Sequence, residues 1–136
     1  MNNDLEKTLQ IFYDIANGGE GELSNIFIPD FQLDIAQGFP YGGVYNGMDE
    51  VNGFFANYKK HFDFWNVTTD QFITINKNSM AVTGTYFAKA KDTQVEFEME
   101  TVHFWKASDS KLTSLKQYCD TAILSDAMNN MVPKKI

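Results

Sequence analysis

Between residues 3 and 16, Leu5, Leu9, Phe12 and Ala16 recur every three or four positions, and Ile11 and Ile15 widen the stripe. That spacing predicts an amphipathic helix. Asn3 followed by Glu6 resembles a capping box, and Gly18-Gly19 offers a left-handed stop. A short helical turn over Glu22 to Phe27 must end before Pro29. Phe31 to Ala36 alternates as a strand, and Gln37 to Gly43, with its glycines and proline, reads as a loop. Asn46 can cap a helix from Met48 to about His61, with Val51, Phe54, Phe55, Tyr58 and Phe62 along one side.

After that helix the period changes from helical to alternating. Residues 65–76, 79–91, 94–106 and 111–119 read as four strands joined by short turns, an order that implies antiparallel hairpins. The clearest alternation places Val95, Phe97, Met99, Thr101, His103 and Trp105 on one face and Glu96, Glu98 and Glu100 on the other. A last helix from Thr121 carries Leu124, Ala127, Met128 and Met131 on one stripe. Residues 1–132 form one domain on this reading, and the tail 133–136 frays. Helices first and a long meander afterwards predict an α+β domain. In it a curved antiparallel sheet is covered by N-terminal helices and closed towards a cone-shaped barrel, with a C-terminal helix. The mouth of such a cone can hold a small molecule, and its outer sheet face can pair with a second copy.

The composition narrows the chemistry. At 136 residues the chain is one domain long and buries about two-thirds of its unfolded surface without staples. With 12 Phe, 6 Tyr and 2 Trp it carries more rings than a core of this size needs. All 11 basic residues are Lys, so the bidentate fork that grips phosphate or carboxylate is missing. A formal charge of −7 opposes nucleic-acid binding. The start lacks a basic and apolar leader, and no apolar run approaches a membrane span, which places the chain in the cytoplasm with no membrane partner. One cysteine excludes an internal disulfide, and two His with one Cys make no conventional zinc site. Carboxylates at Glu96, Glu98 and Glu100 stand about 7 Å apart along a strand, which suits a solvated face better than a metal.

Three stretches carry a family resemblance: Ile15-Ala16-Asn17-Gly18-Gly19-Glu20, Phe39-Pro40-Tyr41-Gly42-Gly43-Val44-Tyr45-Asn46-Gly47-Met48-Asp49-Glu50-Val51, and His103-Phe104-Trp105 with Ser110-Lys111-Leu112 and Gln117-Tyr118-Cys119-Asp120-Thr121. Together they resemble the SnoaL-like, polyketide cyclase-like branch of the nuclear transport factor 2-like superfamily, which also holds ketosteroid isomerase. The resemblance implies a cone-shaped barrel, commonly dimeric, with an apolar pocket and no cofactor. It also implies acid–base residues that this chain replaces. The cyclase aspartate falls on Gln117, which cannot exchange a proton near neutral pH. The isomerase base falls on Gly38, and the isomerase's first-helix tyrosine falls on Phe12, with Tyr13 beside it.

Other residues keep chemical potential. His103 shares strand parity with Phe97, Met99 and Trp105, so it points inward, either to relay a proton to a ligand or to sit as a satisfied core histidine. Asp34 becomes a general base if it faces the interior, whereas a buried face of Phe31, Leu33 and Ile35 would send it to water. Cys119 and Gln117 share the inner face with His103 only if a bulge or a longer turn shifts the last strand. A plain two-residue turn sends Ser114, Lys116 and Tyr118 inward instead. Tyr41, Tyr45, Trp65 and Trp105 can line a mouth for a flat ligand or serve as ordinary core. Asp120 reads as the cap of the final helix. The expected function is binding of a small apolar or aromatic ligand, and any reaction there would be cofactor-free acid–base chemistry of isomerase, cyclase or hydratase type on a neutral cyclic substrate, at His103 and Asp34. The alternative is a non-catalytic module with a self-filled pocket that dimerises through its sheet.

Overall fold

The computed structural model describes residues 3–135. The capping role expected of the Asn3 side chain falls outside that description, as does Ile136 of the tail. Helix α1 spans Asn3–Ala16 and ends as its glycines predict. Gly18, at φ 94°, turns left-handed while Gly18 N donates to Ile15 O and Gly19 N to Asp14 O, the paired bonds of a Schellman stop. A 3-10 turn at Leu23–Asn25 leads into strand β1, Phe27–Ile35. Strand β2, Gly43–Asn46, lies at the end of the segment expected to be loop.

Helix α2 covers Met48–Lys59 and stops short of His61. Its cap is Gly47 and not Asn46, because Asn46 is the last residue of β2 and its amide accepts from Gln32 Nε2 at 3.2 Å. Glu50 instead reaches back, and its Oε1 accepts from Asn46 N at 2.9 Å. Four long strands follow: β3 (Phe62–Asn76), β4 (Ser79–Ala90), β5 (Glu96–Ser108) and β6 (Lys111–Cys119). Helix α3 is short, Thr121–Ala127. Asp120 occupies its N-cap position but makes no side-chain cap bond, so the capping expected of its carboxylate does not form. The chain turns at Asn129 and Asn130, both left-handed, and leaves Met131 76% exposed where a helical stripe was expected.

The six strands form one curved, unclosed sheet in the order β2-β1-β6-β5-β4-β3. The sheet is mixed and not purely antiparallel, because β1 runs parallel to β6, with Leu33 opposite Leu115. Hairpin order could not reveal that pair, since its members stand about as far apart in the chain as any two strands. The concave face is apolar. Phe12 meets Trp105 edge-on at 4.7 Å, and Phe27 stacks on Phe31 at 3.8 Å. A second ring cluster joins Phe54, Tyr58, Trp65 and Phe39. The excess of rings therefore fills the cone.

Two irregularities set the register. The β5–β6 hairpin turns through Asp109-Ser110, both left-handed, and then loses register between Lys106 and Ala107, where Thr113 is the extra residue. This bulge turns Leu115 and Gln117 inward and sends Lys116 and Tyr118 out. In the β3–β4 hairpin a shift between Thr69 and Gln71 lies beside Gly84, where any Cβ would fall 2.3 Å from Thr68 O. Glycine is needed there for close approach. The tail does not trail free. Pro133 O accepts from Tyr41 N at 2.8 Å, and Lys135 Nζ lies 4.3 Å from the Tyr45 ring centre.

Candidate functional site

Asn17, just past the end of α1, clamps that end to β3. Its Nδ2 donates to Val67 O at 2.7 Å and its Oδ1 accepts from Val67 N at 2.8 Å. With the helix held there, Tyr13 points at His103 on β5, and their rings lie parallel at 5.7 Å. Tyr86 comes from β4, where the inward positions also include Met80, Val82 and Ala88. Gln117 comes from β6 directly opposite His103, as the bulge requires.

These side chains form one chain of hydrogen bonds. Trp105 Nε1 donates to Tyr13 Oη at 3.0 Å, Tyr13 Oη lies 2.6 Å from His103 Nδ1, His103 Nε2 lies 2.7 Å from Tyr86 Oη, and Gln117 Nε2 donates to Tyr86 Oη at 2.7 Å. Indole only donates, so Tyr13 accepts from it and passes its own proton to Nδ1. The reverse tautomer would leave that proton without an acceptor among these partners. His103 Nε2–H therefore donates to Tyr86, whose oxygen takes two donors. The remaining Tyr86 proton is left for Thr101, with which Tyr86 also bonds, or for an occupant of the adjoining cavity.

Burial dominates the electrostatics. It pushes the His103 pKa from 6.5 down to about 3, so the imidazole is neutral at physiological pH. It also pushes both phenols well above their ordinary value of 10, against the lowering effect of the Trp105 bond to Tyr13 and the Gln117 bond to Tyr86. The cluster is a neutral relay with fixed dipoles. The adjoining cavity has a volume of about 30 Å³ and is walled by Phe12, Phe39, Tyr58 and Trp65. That is room for about two waters, whereas a cavity that takes benzene is about 150 Å³. The interior expected to admit a ring is therefore closed in this conformation.

Of the residues singled out in the sequence, Phe12, Trp65, His103 and Gln117 border this cavity. Tyr13 and Trp105 stand behind it in the hydrogen-bond chain. Asp34 is a correction: Phe31, Leu33 and Ile35 form the buried face of β1, and Asp34 lies on the other, 3.6 Å from Lys116 Nζ. It takes no part in the interior. Tyr41 and Tyr45 pack away from the cluster, Tyr41 against His61 and Tyr45 against Phe54. Cys119 faces inward but forms no pair with His103, whose two nitrogens are taken by tyrosines. Burial, with some help from Asp120, pushes its thiol up to about 12, the reverse of an activated nucleophile. Tyr86 and Asn17 were not singled out beforehand. Alternation along β4 marks Tyr86 as inward, whereas nothing local marks Asn17.

Neither a family model nor a curated protein sequence matches the chain. Solved structures do. A nuclear transport factor 2-like protein from Burkholderia thailandensis superposes with a TM-score of 0.82 at 20% identity, covering 94% of this chain and 98% of that one. A protein described as a SnoaL-like polyketide cyclase from Jannaschia sp. CCS1 gives 0.81 at 12% identity, covering 97% and 95%. A protein of ketosteroid isomerase-like fold from Catenulispora acidiphila, solved with trimethylamine, gives 0.78 at 12% identity, covering 90% and 92%. This chain has the nuclear transport factor 2-like fold. At these identities the likeness is one of fold, and the site must be argued from its own residues. In this nuclear transport factor 2-like cone the interior carries an uncharged chain of hydrogen bonds through Trp105, Tyr13, His103, Tyr86 and Gln117. No helix among the described residues is long and apolar enough to cross a membrane, and no cluster of His, Cys, Asp or Glu among them could hold a metal ion.

Proposed function

We propose that this protein binds a small, neutral, ring-bearing molecule at the inner end of its cone, with a hydrogen-bond acceptor of the ligand placed against Tyr86 and Gln117. The observation that carries the reading is the buried cluster itself. Tyr13, His103, Tyr86 and Gln117 satisfy one another through side chains beside a residual cavity, where apolar residues would pack at lower cost. The Tyr86 proton, otherwise left for Thr101, can turn towards a ligand. Binding without turnover is the better-supported form. The imidazole stays neutral, Asp34 is outside, and the Cys119 thiol is held protonated. A panel of neutral cyclic ketones, lactones and ethers, screened by thermal shift, is expected to yield binders whose affinity falls about fivefold in Tyr86→Phe. A panel without binders, or binders indifferent to that change, would refute the reading.

A second reading, a self-filled module that pairs with another copy, is favoured by the outer sheet face. Ile73, Phe104 and Tyr118 lie there 43%, 40% and 48% exposed, and Phe104 meets Tyr118 edge-on at 5.7 Å. Light scattering is expected to give twice the 15.5 kDa chain mass, and Phe104→Lys is expected to return the monomer. A wild-type monomer at about 100 μM would sink this reading.

A further inference from the structure

Phe39 separates two spaces. On the inner side its ring closes the cavity beside the His103 cluster, meeting Trp65 at 5.2 Å and Tyr58 at 5.4 Å. On the outer side the same residue, with Gln37, Gly38 and Gly42, borders a groove of about 240 Å³ whose far wall is Val132 to Lys135. The segment that carries Phe39 is a double turn, with Phe39 N bonded to Ala36 O and Gly42 N to Phe39 O. Gly38 and Gly43 flank it at φ 93° and 149°, conformations open to glycine.

Two residues further along this turn stands Tyr41, a residue with a Cβ held left-handed at φ 58°. Such a conformation persists only where the surroundings enforce it. Here three bonds do so: Tyr41 N donates to Pro133 O at 2.8 Å, Tyr41 O accepts from Tyr45 Oη at 2.5 Å, and Tyr41 Oη pairs with His61 Nε2 at 2.9 Å. Lys135 adds a fourth tie, donating from Nζ to Val44 O at 2.5 Å. The tail and β2 thus fasten the turn that holds Phe39 in place.

We infer that Phe39 is a gate and Tyr41 its latch. When the latch releases, the Phe39 ring swings out, the inner cavity joins the outer groove, and the joined space admits one ring of a ligand whose acceptor reaches Tyr86. This rests on the ligand-binding reading above and explains how a closed interior can serve it. The ligand class is a neutral mono- or bicyclic molecule of at least the bulk of the ring it displaces. Affinity for such a ligand is reduced by the fraction of molecules with the gate open, so variants that loosen the latch bind more tightly.

The test uses the full chain and coumarin, a neutral bicyclic lactone, followed by quenching of tryptophan emission, since Trp65 touches the gate. The double variant Tyr41→Phe/Lys135→Ala is expected to bind about fivefold more tightly than wild type, with faster association, and Phe39→Ala about tenfold more tightly. In the Phe39→Ala background, Tyr86→Phe is expected to weaken binding about fivefold. If Phe39→Ala does not fold, the latch variant decides alone. Equal affinity and association rate in wild type and every folded gate or latch variant, with wild-type binding still sensitive to Tyr86→Phe, overturns the gate and leaves the binding reading standing. Tight binding by Phe39→Ala that ignores Tyr86→Phe overturns the binding reading at this cluster, and the inference with it. No binding by any folded variant overturns both.

Discussion

Lowering the pH from 7 to 4 is expected to cost the wild-type fold about 3 kcal/mol through His103 alone, and His103→Gln is expected to remove that share of the loss. The folded-state pKa of His103 lies at about 3 and its ordinary value is 6.5, with burial as the cause. Between those values the unfolded chain binds one proton more than the folded one. Stability therefore rises with pH across that window, at about 1.4 kcal/mol per pH unit, and is complete above 6.5. It is lost as pH falls from 6.5 towards 3. Protonating the imidazole in place would also reverse the Tyr13 bond, because Nδ1 could then only donate, and the Tyr13 proton would be left without an acceptor among these partners. The measurement is a set of urea midpoints between pH 4 and 7 for wild type and variant. The 18 Asp and Glu residues are common to both proteins, so the difference between the two curves isolates His103. At pH 7 His103→Gln is expected to be about 1–3 kcal/mol less stable, since an amide cannot bridge both tyrosines as the ring does. Parallel curves would show that another group carries the acid sensitivity.

The inward position of His103 was legible in β5 alone, because Phe97, Met99, Thr101 and Trp105 alternate strictly with three glutamates. The fork at the end of the chain was legible only as a fork. Asp109-Ser110 marks a two-residue turn, and only tertiary packing decides that Thr113 is bulged out so that Gln117 can face His103. Asp34 resolved in the same manner, by which of two strand faces meets the core. The parallel pairing of β1 with β6 and the four residues of β2 stayed hidden, because neither leaves a local signature and β2 begins in a glycine pair. Cavity size could not be read either. It depends on where Phe39, a loop residue with no periodicity of its own, places its ring among Phe54, Tyr58 and Trp65. Composition announced a surplus of rings, and only packing showed that they close the space they were expected to line.

Trp105→Ala is expected to be the most damaging single substitution in the chain, at about 4–6 kcal/mol, enough to unfold a domain of ordinary stability. Trp105 is fully buried, with Phe12 at 4.7 Å and Phe27, Phe31 and Tyr13 within 6.4 Å of its ring centre. Emptying that volume forfeits the transfer energy of a large ring and leaves a void that β5, paired on both sides, cannot collapse to fill. The second loss is polar. Without Trp105 Nε1, Tyr13 Oη loses the one N–H it accepts from and keeps only its bond to His103 Nδ1. Trp105→Phe separates the two effects. It keeps most of the packing and removes the N–H, for an expected cost of about 1–2 kcal/mol. Its distinguishing result lies in the imidazole: Phe accepts no more than indole does, so the Tyr13 proton still has only Nδ1 to go to and the tautomer of His103 is kept. Nitrogen-15 shifts of the imidazole are expected to show Nε2 protonated in wild type and in Trp105→Phe alike. A mixed tautomer in the variant would show that the indole N–H itself directs the protons of the site.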